Sequence, residues 1–555
     1  MLLHKLVSLD LSYNSDLKLE PHVFIYMIQN FTNLEELSLG WVNISSVLPR
    51  SLNISSSLKL LNLQYTGLQG KLPHYIFEFQ YLETLFLSLN QFIGNIPSEI
   101  MVNLTHLTTL DLSNNKLNGT LPSWLFTSPS GDWELDTLLT SLTNLEYLDL
   151  SYNGFSVTTK NGNHYVNPDF WFLKLACCKL KVFPKSLRAM QKLKELDLSS
   201  NEIHGHIPLW AGEIGGLPQF QWYELLELYL HSNQIEGPFP SSVCNMSNLE
   251  FLDLHNNSFG GVIPQCFEKA TSSLQLVDLG TNRFQGAIPN VSENSLQVID
   301  LSHNGFVGQL PAKYFQKFDD MKNLMIKSTI PQYLHMAGEP YSFILTMKGV
   351  EQDFPQLFVA YTIINLSNNK FQSEIPFIIG SLISLKVLDL SHNKLTGPIP
   401  HALGKLSEIE SLDLSWNQLT SEIPQSLADL TFLGFLNLSQ NHLTGRIPQG
   451  KQFNTFEGNS FAGNPNLCGP QLRKKCNEHP QEPQLESDGA GGDEESGFTW
   501  EVVALGYGCG TLLGLVMGYL MLSTRKVKWF NAIADAGEYM IITRRKTRRY
   551  AYIGQ

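Results

Sequence analysis

Seven cysteines and ten N-x-[ST] sequons are the residues of this 555-residue chain whose types and spacing could carry chemistry. Cys468 and Cys476, in "GNPNLCGPQLRKKC", are placed to close a short disulfide loop. Cys244 and Cys266 lie 22 residues apart and form the second candidate pair. Cys177 and Cys178 are neighbours and read as free thiols; Cys509 sits in an apolar run and reads as packing. Structural disulfides belong to oxidising compartments. The sequons Asn30, Asn43, Asn53, Asn103, Asn118, Asn245, Asn256, Asn290, Asn365 and Asn437 agree with an exported, glycosylated surface. Asn365 and Asn437 fit least well, because they fall within strand-patterned segments. There is no nucleophile–base–acid set, HExxH motif or phosphate loop, and the glycines of "GYGCG" do not follow a strand. The expectation is a binding protein and not an enzyme, with no metal or cofactor.

The elements that position these residues are repeats. "LKVLDLSHNKLTGPIPHALGKLSE", "IESLDLSWNQLTSEIPQSLADLTF" and "LGFLNLSQNHLTGRIPQGKQFN" follow one another, with Asn369, Asn393, Asn417 and Asn441 spaced by 24. The same position is held by Asn14, Val42, Thr66, Asn90, Asn115, Asn153, Cys178, Asn201, Asn233, Asn257, Asn282 and Asn304, which makes sixteen coils. A period near 24 built on LxLxxN is the leucine-rich repeat pattern. Leu388 and Leu390 alternate with polar residues as in a short strand buried on one face. No single coil can bury its leucines, so neighbours must stack into a solenoid. Cys178 and Thr66 can imitate the asparagine weakly and Val42 cannot, so the second coil should be locally irregular. In LxGxIP, Gly397 permits a sharp turn, Ile399 points inward and Pro400 fixes φ. Nearly one period also separates Cys244 from Cys266, which would place them on adjacent coils.

The period breaks at Asn115–Asn153, Asn201–Asn233 and Asn304–Asn369, intervals of 38, 32 and 65. The last leaves about 40 surplus residues rich in aromatics (Tyr333, Tyr341, Phe343, Phe354, Phe358), read as a packed island looping from one face. The expected organisation is therefore repeats over 1–320, the island at 321–360, four further repeats at 361–458 and a Cys-paired cap at 459–480. An acidic linker (481–500), a transmembrane helix (501–522) and a basic tail (523–555) follow.

The net charge of −13 divides into +6 after Leu522 and −19 before it. Such asymmetry argues for two compartments, and an acidic body disfavours nucleic acid. Val502 to Leu522 carries no charge over 21 residues, about 32 Å of helix, enough for a bilayer core of about 30 Å. Trp500 marks one interface; Arg525, Lys526 and Lys528 mark the cytoplasmic side. The expected protein is single-pass type I in the plasma membrane, with its N-terminus outside. "LLHKLVSLDLSYN" after Met1 lacks the pattern of a signal peptide, so the natural N-terminus is expected to be missing. Gly506, Gly510, Gly514 and Gly518 recur every fourth residue and form three chained GxxxG motifs, a helix-pairing groove in lipid. In the tail, Arg544 to Arg549 could touch anionic membrane lipid.

"LTMKGVEQDF", "INLSNNKFQSEIP", "GNPNLCGP", "LKLACCKLKVFP" and "VNISSVLP" together resemble the plant receptor-like proteins, the kinase-less leucine-rich repeat receptors. Within them the chain looks like the group of tomato leaf-mould resistance receptors and the fungal-xylanase receptor. The resemblance implies a right-handed α/β solenoid with an added second sheet, without the family's signal peptide and N-terminal cap. It also implies an immune receptor that binds an extracellular microbial protein or peptide. The adaptor receptor kinase would bind through the transmembrane glycines. A co-receptor kinase would bind through the last four repeats and the island residues Lys348 and Gly349. A developmental peptide-hormone co-receptor and a non-signalling decoy or fragment share the architecture.

Ligand contacts are expected on the concave sheet. The residue between the paired leucines is usually aspartate, with Phe86, Lys174 and Tyr229 as informative exceptions. The residue before the ladder position is often aromatic: Tyr13, Trp41, Tyr65, Tyr152, Trp416. Exposed aromatics are common interface anchors, which selects Tyr65, Phe86, Tyr152, Lys174, Tyr229 and Trp416 as candidate contacts.

Overall fold

The computed structural model describes residues 5–49, 57–96, 104–118, 133–160, 162, 165–208, 222–270, 273–289, 296–323, 343–347, 350–354, 361–472, 474 and 476. Asn53, Asn103, Asn290, Lys348, Gly349, Gly506, Gly510, Gly514, Gly518, the linker and the tail lie outside the described residues. Among the described residues no helix is long and apolar enough to cross a membrane; the run at 501–522 is not among them.

Every coil carries a three-residue strand at its L-x-L segment, whose leucines face inward. Stacked coils therefore pair their strands in parallel. Sixteen such strands, from Ser8–Asp10 to Phe435–Asn437, form one sheet in strict chain order. Register is residue for residue, as in Leu388 opposite Leu412, so equivalent leucines stack into one core. Leu388, Leu390, Leu412 and Leu414 are fully buried. Each such side chain contributes about 1.5–3 kcal/mol relative to exposure.

The asparagine ladder explains why that residue recurs. Asn417 Nδ2 donates to the carbonyls of Leu414, Ser415 and Leu390, the last on the preceding coil, at 3.2, 3.1 and 2.9 Å. Its Oδ1 accepts from the Leu395 N–H at 2.9 Å. One amide thus satisfies backbone groups of two coils that would otherwise be buried without partners. Cys178 reaches the equivalent carbonyls of Leu150 and Ala176 through sulfur, at 3.7 and 3.5 Å. Thr66 Oγ1 donates to Leu63 O at 2.8 Å. Val42 has no side-chain hydrogen bond to offer. Because Thr66 lacks the amide oxygen that would accept from the preceding coil, the Ile44 and Ser45 N–H groups bond Thr66 O at 2.9 and 3.0 Å. The expected irregularity shows at Ser45, where φ is 44°, while the strand Glu36–Ser38 keeps its register.

On the other side of each turn, LxGxIP builds a second parallel sheet. Eight strands run from His204–His206 to Gln418–Thr420, and three more serve earlier coils. Gly397 takes φ 75°, where a Cβ would meet the Glu374 side chain at 2.7 Å. Pro400 precedes the 3-10 turn His401–Lys405.

The long insertion does not interrupt the main sheet: Val298–Asp300 pairs directly with Ile363–Asn365. Tyr314, Phe315, Phe318 and Met321 remain in the solenoid core, and Met321 O accepts from Ser384 N at 3.0 Å. Beyond them Phe343–Met347 and Val350–Phe354 pair antiparallel as a hairpin. Cys244 and Cys266 are bridged, as are Cys468 and Cys476, with Cα separations of 5.5 and 5.0 Å. Cys177 and Cys178 are free thiols. The cap also continues the ladder: Asn464 Oδ1 accepts from Leu443 N, and its amide donates to Leu438 O, both at 2.9 Å.

Candidate functional site

The concave sheet carries the side chains between the paired leucines in a column. Neighbouring strands lie about 4.8 Å apart, so these side chains press against one another. The aspartates of the inner strands are consequently buried rather than displayed, Asp111 and Asp197 to 1% exposure, while Asp10 on the first strand stays exposed and Asp389 is half-buried. Each is tied locally: Asp111 Oδ1 accepts from the Ser113 N–H at 2.9 Å, and the pattern repeats at Asp149, Asp197, Asp389 and Asp413. Burial, with Asp111 alongside, pushes the Asp149 carboxyl up to about 8. Burial, with Asp413 alongside, pushes Asp389 up to about 7.

Two expected contacts are corrected by this packing. Lys174 is 3% exposed; its ammonium lies 2.5 Å from Glu195 and 4.8 Å over the Phe172 ring. Its strand neighbours in register are Asp149 and Asp197, so it is the internal counter-ion of a carboxylate cluster. Tyr229 is fully buried and donates to Glu227 at 3.0 Å. Neither side chain is displayed to a ligand, because the column spacing leaves room for only the tips of flanking residues. Phe86 is half-buried and meets Tyr147 edge-on at 6.1 Å.

Tyr147 extends that contact into an aromatic cluster that sequence reading missed; Tyr147 and Phe172 are buried and Trp171 is its exposed member. It stacks on Phe172 at 3.8 Å, and Trp171 meets both rings edge-on. The signal was present: Tyr147 and Phe172 precede the first leucine of their L-x-L segments and pair in register, and Trp171 stands one residue before Phe172.

The residue before the ladder position adopts φ between 50° and 68° in all sixteen coils. This left-handed conformation disfavours bulky side chains, yet it swings Tyr65, Tyr152 and Trp416 outward to 52%, 42% and 54% exposure. Trp416 stacks on His392 at 5.5 Å. Trp41 lies 4.3 Å from Tyr65 and 6.4 Å from Tyr13. Tyr65 and Phe86 sit on neighbouring coils, whereas Trp416 lies twelve strands further along, roughly 55–60 Å at sheet spacing. The expected contacts do not converge on one spot.

Where serine usually follows the second leucine, two successive coils carry His231 and His255. Their rings stack at 4.7 Å. His255 Nδ1 lies 2.8 Å from Asp253 and 3.6 Å from Asp278, and His231 Nε2 lies 4.0 Å from Asp253. Burial alone would lower His255, but the Asp253 and Asp278 carboxylates outweigh it and raise it to about 10. His231 is held below its ordinary value, by burial first. The donor atoms of His231, Asp253 and His255 fall within 4.8 Å of one another.

Of the described sequons, Asn43, Asn118, Asn245 and Asn256 are exposed and Asn30 is partly so. Asn365 is corrected: it is 1% exposed and donates to Asp300 at 2.7 Å within the buried column. Asn437 donates to Asp413 at 3.1 Å from the last strand.

The architecture defines a leucine-rich repeat protein, and leucine-rich repeat models match residues 106–127, 144–162, 189–205, 224–246, 248–270 and 362–419. More narrowly, its homologues are the plant receptor-like proteins, a non-enzymatic class. Receptor-like protein 35 of Arabidopsis thaliana is 34% identical across 91% of this chain and 55% of its own length. Receptor-like protein 9DC3 of Solanum pimpinellifolium is 50% identical across 44% of this chain and 29% of its own. The chain thus spans about half the length of the first of these relatives and less of the second. Among solved structures, PEPR1–AtPEP1 superposes with a TM-score of 0.55 and 27% identity over 84% of this chain and 67% of that one.

Proposed function

We propose that this protein is a plasma-membrane receptor of plant innate immunity. It binds an extracellular microbial protein or peptide on its concave face and signals through partner receptor kinases. One observation carries the reading. The sheet runs unbroken from Val298–Asp300 to Ile363–Asn365 while the intervening chain leaves it, so an elaborated segment hangs beside four highly regular coils. A solenoid that only filled space would have no use for that departure. Exposed aromatic side chains at Tyr65, Tyr152 and Trp416 supply anchors for a protein or peptide. The likeness to the PEPR1–AtPEP1 structure supports such use of the scaffold.

A receptor of this kind borrows its catalysis. The adaptor kinase would pack against Gly506, Gly510, Gly514 and Gly518, where close helix approach is possible in lipid. The co-receptor kinase would meet the last four coils and Lys348–Gly349. The test is purification of the complex from plant membranes, with kinases identified by mass spectrometry. The expected result is a receptor kinase recovered with the unaltered chain and lost when the four glycines become leucine. Full recovery with the leucine variant would remove the membrane segment from the account. Alanine at Trp416 should weaken only the ligand-dependent association, and unaltered association would exclude the last coils.

A further inference from the structure

A cleft of about 470 Å³ opens at the turn of the second and third coils, with Trp41, Asn43, Ser45, Tyr65, Gly67 and Asn90 among its lining. Its volume falls within the ~300–1,000 Å³ typical of small-ligand sites. Trp41 and Tyr65, 4.3 Å apart, form an aromatic wall. The Trp41 indole N–H is buried and has no hydrogen-bond partner among the described residues. At Gly67 a Cβ would come within 3.0 Å of Ser45 Oγ, so the absence of a side chain keeps the floor open.

Asn43 opens the sequon Asn43-Ile44-Ser45 and is exposed. Its backbone is pinned on both sides, donating to Leu17 O at 3.0 Å and accepting from Leu19 N at 2.9 Å. Its Oδ1 accepts from Ser45 Oγ at 2.8 Å, which leaves Nδ2 without a partner among the described residues. Positive φ at Trp41 and Ser45 reverses the chain on either side, so the indole two residues earlier lines the same cleft. Of the exposed sequons, Asn43 alone has an aromatic at that spacing: Lys116, Val243 and Leu254 stand before Asn118, Asn245 and Asn256.

We propose that this cleft seats the first sugars of an N-linked glycan borne by Asn43 of the same chain. In the attachment, Nδ2 bonds to the anomeric carbon of a lipid-pyrophosphate-linked oligosaccharide. The lipid pyrophosphate leaves and the amide gives up one proton. The apolar C–H face of an N-acetylhexosamine suits the electron-rich faces of Trp41 and Tyr65. The inference requires export of the chain and no other part of the receptor reading.

The test uses the full chain, directed through the plant secretory pathway by an added leader and purified in detergent. Peptide mapping reads occupancy, and a glycan amidase acting on the native protein reads accessibility. Asn43 is expected to be occupied and released about tenfold more slowly than Asn256, with equal rates after denaturation. Trp41→Ala or Tyr65→Ala should bring the native rates to within about twofold. Where Trp41→Ala does not fold, Tyr65→Ala and Trp41→Leu carry the comparison. An unoccupied Asn43, equal native rates in the unaltered protein, or slow release that survives both substitutions would overturn the proposal. So would binding of free N,N′-diacetylchitobiose to Asn43→Gln protein together with an unoccupied Asn43, which would assign the cleft to an external saccharide.

Discussion

Lys174→Met removes one cation from a buried carboxylate cluster while keeping the apolar stem. The ammonium is 2.5 Å from Glu195 and its side chain is 4% exposed; Asp149 and Asp197 occupy the same position on the flanking strands. A unit-charge pair at 4 Å is worth about 4 kcal/mol at an effective dielectric near 20. Breaking a buried pair from one side costs about 3–5 kcal/mol, because the partner charge is stranded. At pH 8 the variant should therefore lose about 3 kcal/mol locally, some of the strain being relieved by proton uptake. Asp149 is already pushed up to about 8 with lysine present. Without that cation it binds its proton still more tightly in the folded state, so the loss should shrink to about 1 kcal/mol at pH 5. A solenoid opens segment by segment, so the assay is amide hydrogen exchange over Tyr147–Asp149 through Glu227–Tyr229, each pH compared with the unaltered protein. An increase of about 100-fold at pH 8 corresponds to 3 kcal/mol. Unchanged exchange at pH 8, accompanied by weakened ligand binding, would show that Lys174 projects to solvent and that the burial account is wrong.

Asn417→Ala removes an acceptor for Leu395 N and donors to three carbonyls. A cost of about 2–3 kcal/mol is expected, seen as faster exchange on both adjoining coils; a loss under about 0.5 kcal/mol would count against the ladder's role. Replacing Cys244 and Cys266 by serine opens a bridge of 22-residue separation and should cost about 3 kcal/mol, read as a lower thermal midpoint, with no shift speaking against a structural bridge. Stability should also fall as pH rises. Asp149 at about 8, Asp389 at about 7 and His255 at about 10 all hold protons more tightly folded than unfolded. Their contribution is complete below the unfolded values, about 3.9 for aspartate and 6.5 for histidine, and is lost as pH climbs through the folded ones. Asp253, held low by its histidines against burial, acts oppositely only in stronger acid, and His231, lowered by burial, offsets part of the gain below about 6.5. The midpoint at pH 5.5 should exceed that at pH 8.5 by about 5 °C, measured by scanning fluorimetry, and a rise with pH would refute the assignment. Asn365, buried in the column, should remain unglycosylated when the exported chain is mapped.

Repeat number, strand position and the ladder were legible in the residues alone. A period of 24 with two inward leucines permits one way of burying them, and Asn417 needs only its own coil and the preceding one to be explained. The same periodicity placed the bridge between Cys244 and Cys266. What a repeat read singly could not show was the effect of stacking sixteen of them. Lys174, Tyr229 and Asn365 stand at positions that one coil would expose; neighbours about 4.8 Å away bury them. The Tyr147–Phe172–Trp171 cluster, the His231–Asp253–His255 group and the Trp41–Tyr65 cleft are likewise built across coils from residues about one period apart. Local pattern determined which face each side chain takes, because backbone periodicity is local. The separation between coils decided which of those faces stay open, because exposure depends on what lies alongside.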